Sequence, residues 1–237
     1  MNKKILLALG CATLLVCGCD KKVDEQDEKK LYSIVPGEKY ELYSHLHLYG
    51  RPEYQNENDI IDFSYPQINI DSDEIRKVNE SIRKSYEEIK KYLPKEEGNG
   101  CICIKSGDRY LCNGEHLKSE EYGFYETEKY LTIELISRSR TYCAGGGFEY
   151  TIYTLDKEAK RILSIDEILN AFKFNKNTYE QAVKNKYNET YGIELDNFEY
   201  VEVGIYNNDS LIVVIPGMDT DDVYTYDGKT LTRKNSW

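Results

Sequence analysis

The strongest hydrophobic rhythm in the chain runs from Ile75 to Leu93. Ile75, Val78, Ile82, Tyr86, Ile89 and Leu93 recur at steps of three and four, which places them on one face of an α-helix. Asp71 stands where it can cap that helix, Glu74 three residues on completes a capping box, and Pro94 ends it. A stripe of this kind predicts a helix lying on a sheet.

Elsewhere the pattern alternates. Residues 31–49, including Tyr40-Glu41-Leu42-Tyr43-Ser44-His45-Leu46-His47-Leu48, predict one or two strands before Gly50-Arg51-Pro52, and residues 60–70 predict another. Runs centred on 131–136 and 148–155 predict antiparallel partners joined by a corner at Gly145-Gly146-Gly147. A phosphate-binding glycine loop would need a helix after it, and here a strand follows.

Ser164 and Glu167 form a second capping-box signal, opening a short helix through about Phe172. Asn177 with Glu180 opens a third helix, carrying Tyr179, Ala182, Val183 and Tyr187 and closed by Gly192. Strands return at 198–206 and 211–215 around Asn207-Asn208-Asp209, and at 223–226 and 229–232 across Asp227-Gly228. The order predicts an α+β fold: a mainly antiparallel sheet with one long helix and two shorter helices packed on it.

The first residues have a different character. Asn2, Lys3 and Lys4 precede an apolar stretch over 5–16, and Leu15-Val16-Cys17-Gly18-Cys19 resembles a bacterial lipobox. Residues 1–18 are therefore expected to be a lipoprotein signal peptide, with Cys19 as the lipidated residue. A rival match at Ala8-Leu9-Gly10-Cys11 leaves too short an apolar stretch. The charged run after Cys19 has almost nothing to bury and reads as a solvated tether over 19–32. Asp20 resembles an inner-membrane retention signal. Residues 33–237 are then the globular part, as one large domain or as two lobes of about 33–116 and 117–237. This places the protein in the cell envelope, anchored by lipid outside the cytoplasm, in the periplasm or on the cell surface.

With Cys11 and Cys17 removed and Cys19 lipidated, Cys101, Cys103, Cys112 and Cys143 remain. An even number in an oxidising compartment predicts two disulfides. Residues 102–112 read as a hairpin turning at Gly107-Asp108. A two-residue turn there sets Ser106 opposite Arg109 and, counting outward, Cys103 opposite Cys112 at a non-hydrogen-bonded position, where side chains approach most closely. Cys101 is left to pair with Cys143. A metal site is disfavoured, because zinc-binding cysteines sit around a turn and not alternately along a strand.

Charge narrows the partners. The chain has 31 basic and 42 acidic residues, and removing 1–18 takes two lysines and no acids, leaving 29 minus 42, or −13. Nucleic acid and anionic lipid surfaces need a basic face and are excluded as main partners, while a basic protein or cationic ligand is favoured. The 22 tyrosines suit half-exposed strands, with sugar stacking as the sharper alternative.

Several local signatures carry a resemblance. Phe63-Ser64-Tyr65-Pro66-Gln67-Ile68 before a helix bearing Asn79, then strands joined by Gly145-Gly146-Gly147, then Leu163-Ser164-Ile165-Asp166-Glu167-Ile168, together resemble the extracytoplasmic domain shared by lysozyme-sensing anti-sigma factors and some peptidoglycan deacetylases. The resemblance spans roughly residues 35–215. It implies an envelope binding domain, and in some relatives one that grips lysozyme. Phe148 stands where family members often carry a histidine, and the family's glycine- and proline-containing strand is not evident around 205–216, so roles tied to those features do not carry over.

Catalytic signatures are sparse. His45 and His47 share a strand face without an evident third metal ligand, His116 lies in a polar loop, and no serine sits in a nucleophile elbow. Asp219-Thr220-Asp221-Asp222 is the densest acidic cluster, but lacks the glycine and closing glutamate of a calcium loop and reads as a solvated turn. The expectation is a non-catalytic envelope binding module for a protein or glycan, with lysozyme as a candidate ligand, and with no cofactor and no metal. A peptidoglycan-modifying hydrolase or deacetylase-associated protein and a structural lipoprotein are the alternatives.

Overall fold

The computed structural model describes residues 30–44, 59–96, 102–112, 116–141, 146–217 and 220–234. The chain divides into Met1–Lys30 and Leu31–Trp237, and the architecture below is that of the second unit. Its strands are β1 (Tyr32–Val35), β2 (Lys39–Ser44), β3 (Asp59–Asp62), β4 (Tyr65–Ile68), β5 (Ile102–Ser106), β6 (Arg109–Cys112), β7 (His116–Glu126), β8 (Tyr130–Thr141), β9 (Gly146–Asp156), β10 (Arg161–Ile162), β11 (Glu202–Ile205), β12 (Leu211–Ile215), β13 (Asp222–Tyr226) and β14 (Leu231–Arg233). The helices are α1 (Asp73–Ile89), followed by a 3-10 turn at Lys90–Tyr92, then α2 (Ile165–Ala171) and α3 (Lys176–Tyr191). The expected α+β class is correct, and the strand pairs are antiparallel.

The strands form separate sheets, ordered β10-β9-β8-β7, β11-β12-β13-β14, β3-β2-β5-β6 and the pair β1-β4. Alternation along β8 explains how the first two stack. Leu131, Ile133 and Leu135 face α1 and pack on Ile75, Ile82 and Tyr86. The opposite face meets the β11–β14 sheet, where Ile152 joins Ile212, Val214 and Val223. The odd-numbered residues of β12, Leu211, Val213 and Ile215, face outward under Ile168 and Leu169 of α2 and Tyr179 and Val183 of α3. The order is helix, sheet, sheet, helices, so the helices cover two stacked sheets and not one.

Close approach between the sheets depends on Gly204. A Cβ there would lie 2.6 Å from Ile152 Cγ2 and 2.7 Å from Thr132 Cγ2. Because nothing intervenes, the backbone N–H of Ile205 donates to Thr132 Oγ1 at 3.1 Å.

The helix ends refine the sequence reading. The N-cap of α1 is Ser72, whose hydroxyl accepts from the Ile75 N–H, so Asp71 is not the cap and the Asp71–Glu74 box does not form. With Ser72 as cap, the box position falls on Ile75, which is needed in the core. Ser164 and Glu167 do form a reciprocal capping box. Asn175, not Asn177, caps α3 by accepting from Thr178 N–H, and Gly192 closes that helix in the left-handed conformation.

The last hairpin also differs. Tyr226 pairs with Leu231 across a four-residue loop, because Asp227 Oδ1 accepts the N–H groups of both Lys229 and Thr230 and widens the turn. His116 opens β7 opposite Thr141, so it is a strand residue and not part of a loop. Among the described residues no helix is long and apolar enough to cross a membrane.

Candidate functional site

Near the C-terminal end of α1, a cleft opens between the helix and the three-stranded face formed by β7, β8 and β9. Strand register sets Glu120, Ser137 and Glu149 abreast, with Tyr122, Leu135 and Thr151 in the next row. All of these except Tyr122, together with Ser85, Glu88 and Ile89 of α1, Tyr92 of the 3-10 turn and Lys118, line this cleft, whose cavity volume is about 200 Å³.

Glu120 is its central group. The residue is 6% exposed, its Oε1 accepts from the Ser85 hydroxyl, and its Oε2 is buried without a partner. Burial pushes its pKa up, opposed by the Ser85 hydrogen bond and the Lys118 charge. The neighbouring Tyr86 hydroxyl is likewise buried and unpartnered, its pKa raised by burial and by the Glu120 charge. At the rim, the Lys118 ammonium sits 5.2 Å from the centre of the Tyr92 ring. A buried carboxylate oxygen with no donor is rare in a folded protein and marks a position where a ligand group can complete the bonding.

This cleft was not visible in the sequence. Glu120 and Lys118 lie in a charged stretch, Lys118-Ser119-Glu120-Glu121, that looks like a solvated strand. Only the pairing of β7 beside β8 turns the even-numbered residues toward α1.

A second polar cluster lies between the stacked sheets. The Tyr125 hydroxyl donates to Glu134 Oε2 at 2.5 Å, and Lys234 bonds to that hydroxyl while lying 3.9 Å from the same carboxylate. The Lys234 ammonium is 4.7 Å from the Tyr125 ring centre and 5.6 Å from that of Tyr206. The arrangement ties the C-terminal segment across the sheet interface.

The acidic turn after β12 has a structural task. Along the edge of β9, the Phe148 N–H donates to Thr220 Oγ1, the Tyr150 N–H to Asp221 Oδ2 and the Ile152 N–H to Glu202 Oε2. Asp222 is 5% exposed and accepts from the Tyr191 hydroxyl at 2.7 Å and from Arg233. The expected solvated turn is therefore corrected at Asp221, held against the sheet because strand-edge N–H groups require acceptors, and at Asp222, buried and engaged by Tyr191 and Arg233. Asp219 lies outside the described residues.

Of the other expected sites, Cys103 and Cys112 form a disulfide with a Cα–Cα distance of 4.0 Å, in the register counted from Gly107-Asp108. The Cys112 N–H donates to the Glu96 carbonyl, away from Cys103, as a non-hydrogen-bonded pair requires. Cys19, His45, His47, Cys101 and Cys143 lie outside the described residues. Among the described residues no three His, Cys, Asp or Glu side chains are grouped to hold a metal ion. A largely apolar groove of about 420 Å³ between α2 and α3 is lined in part by Ile165, Leu169, Tyr179, Phe198 and Val201.

The chain matches no family model and no curated protein.

Proposed function

We propose that this chain is a cell-envelope lipoprotein, anchored through Cys19 on the extracytoplasmic side of a bacterial membrane, whose globular part is a non-catalytic binding module. Its ligand is a protein or a glycan, and a basic, lysozyme-like protein is the first candidate. The observation that carries the reading is the cleft at the end of α1, where Glu120 keeps one buried carboxylate oxygen without a partner. The acidic excess of −13 after removal of residues 1–18, from 29 basic and 42 acidic side chains, favours a cationic partner. The resemblance to the extracytoplasmic domain of lysozyme-sensing anti-sigma factors supports the same reading.

A second reading draws on the same residue. A carboxyl group with a raised pKa in a cleft is suited to general acid catalysis, so a peptidoglycan-modifying hydrolase would use Glu120. Asp221 and Asp222 are poorer choices, being occupied by Tyr150, Tyr191 and Arg233.

The test is retention of the purified chain on immobilised lysozyme and on peptidoglycan across a salt gradient, alongside turnover of purified muropeptides. Retention that weakens with salt, without turnover, is the expected result. Turnover lost in Glu120→Gln would replace it with the hydrolase reading.

A further inference from the structure

The cleft's lining is specific enough to name the chemical group it takes. Three carboxylates, Glu88, Glu120 and Glu149, face a single cation, Lys118. Glu88 is also paired with Lys91 at 3.6 Å, and the acidic groups of the lining outnumber its one cation, which disfavours an anionic ligand. Glu120 Oε2 lacks a donor, and the same lining holds the hydroxyl-bearing residues Ser85, Ser137 and Thr151. An ammonium group, with three donors and no acceptor, matches one carboxylate oxygen plus neighbouring hydroxyls. A guanidinium is a poorer match, since its paired N–H groups seek both oxygens of a carboxylate and Glu120 Oε1 is already engaged by Ser85.

The apolar part of the lining fits what must accompany the ammonium. Ile89, Leu135 and the Tyr92 ring offer a surface for a methylene stem, as a lysine side chain presents one. Lys118, over Tyr92, already occupies a cation position at the rim. The size, about 200 Å³, suits a chain end better than an extended glycan.

We infer that this cleft is a subsite for the lysine ammonium group of a basic protein, with Glu120 Oε2 as its principal acceptor. The inference rests on the binding reading above, and the overall acid excess favours a protein partner over an amino sugar.

The experiment is a heteronuclear NMR titration of the full chain with four probes: Nα-acetyl-lysine methylamide, its Nε-acetylated form, the arginine analogue and glucosamine. The lysine probe should saturate, shifting the amides of Glu120, Ser137 and Thr151. The Nε-acetylated probe should bind at least tenfold more weakly, and the arginine probe more weakly than lysine. Glu120→Gln should cost the lysine probe at least tenfold while keeping the dispersed amide spectrum. If that variant does not fold, Thr151→Lys, at an exposed strand position, places a competing cation in the cleft and should abolish the same shifts.

Equal binding of the charged and acetylated probes, tighter binding of glucosamine, or no saturable shift overturns the subsite. Retention on lysozyme that persists without lysine shifts removes the subsite and leaves the binding reading. Lysine shifts in the cleft with no retention on lysozyme or peptidoglycan leave the subsite and remove the proposed partners.

Discussion

Asp221 reaches across 71 residues of sequence to accept the backbone N–H of Tyr150 at 3.0 Å. The bond is one of three that close the exposed edge of β9, with Thr220 and Glu202 supplying the others. An edge strand left with free N–H groups is a template for unwanted pairing. Asp221→Ala should destabilise the domain by about 1–3 kcal/mol, the range for orphaning a buried hydrogen-bonding group. Chemical denaturation measures the loss, and any binding to lysozyme should be unchanged at temperatures where the variant is folded.

Asn79 holds α1 to β4 through both ends of its amide. Its Oδ1 accepts from the Ile68 N–H and its Nδ2 donates to the Ile68 carbonyl, each at 2.9 Å. Asn79→Ala should cost about 1–2 kcal/mol, seen as a fall in melting temperature of about 2–8 °C for a domain of this size. Asn79→Asp, which keeps the acceptor and loses the donor, should fall between the two.

Lys234 and Glu134 form a coupled pair through Tyr125. The Glu134 side chain is 3% exposed, so Lys234→Met leaves a buried carboxylate without its cation and should cost about 2–4 kcal/mol. Combining it with Glu134→Gln should recover part of that loss. A double-mutant cycle in denaturant measures the coupling, and additive losses would remove the account of this cluster.

The Cys103–Cys112 bridge closes a nine-residue separation. Its loss in Cys103→Ser/Cys112→Ser should cost about 2–3 kcal/mol by the chain-entropy argument. Non-reducing peptide mapping of the protein produced in an oxidising compartment should also find Cys101 joined to Cys143, and free thiols or bound metal there would contradict that pairing.

Glu120 gives the domain a distinct pH response. Its folded pKa lies above the ordinary value of 4.5 because of burial. The folded state then binds the proton more tightly than the unfolded state, so the associated stability is full below 4.5 and is lost as pH rises through the folded value. The melting temperature of Glu120→Gln relative to the parent should therefore increase as pH rises from 4.5 toward neutrality. Glu167 runs the other way. Arg161 and the Ser164 capping bonds hold its pKa down to about 2, so its contribution is present above 4.5 and fades as pH falls toward 2. Comparison with Glu167→Gln in the acid range checks that sign.

Much of the fold was legible because local chemistry specifies it. The Cys103–Cys112 register follows from the Gly107-Asp108 turn, and the Ser164–Glu167 box needs only four residues. The stripe on α1 required a sheet beneath it and found one. Errors of one or two residues at Ser72 and Asn175 arose where adjacent polar residues can each cap and only packing decides between them. The cleft was illegible for a different reason. Glu120, Ser85 and Thr151 are far apart in sequence, and their grouping depends on which face of β7 turns toward α1. The resemblance motifs that include Asn79 and Ser164 prove to carry folding contacts, which explains how they can be read without revealing a ligand.

The central claim is tested most directly by measuring lysozyme binding to the parent chain and to Glu120→Gln, each at low and high salt. Saturable binding to the parent that weakens with salt, and at least tenfold weaker binding to Glu120→Gln under the same conditions, is the predicted result. Identical affinities for the two proteins, or no binding to either, would contradict it.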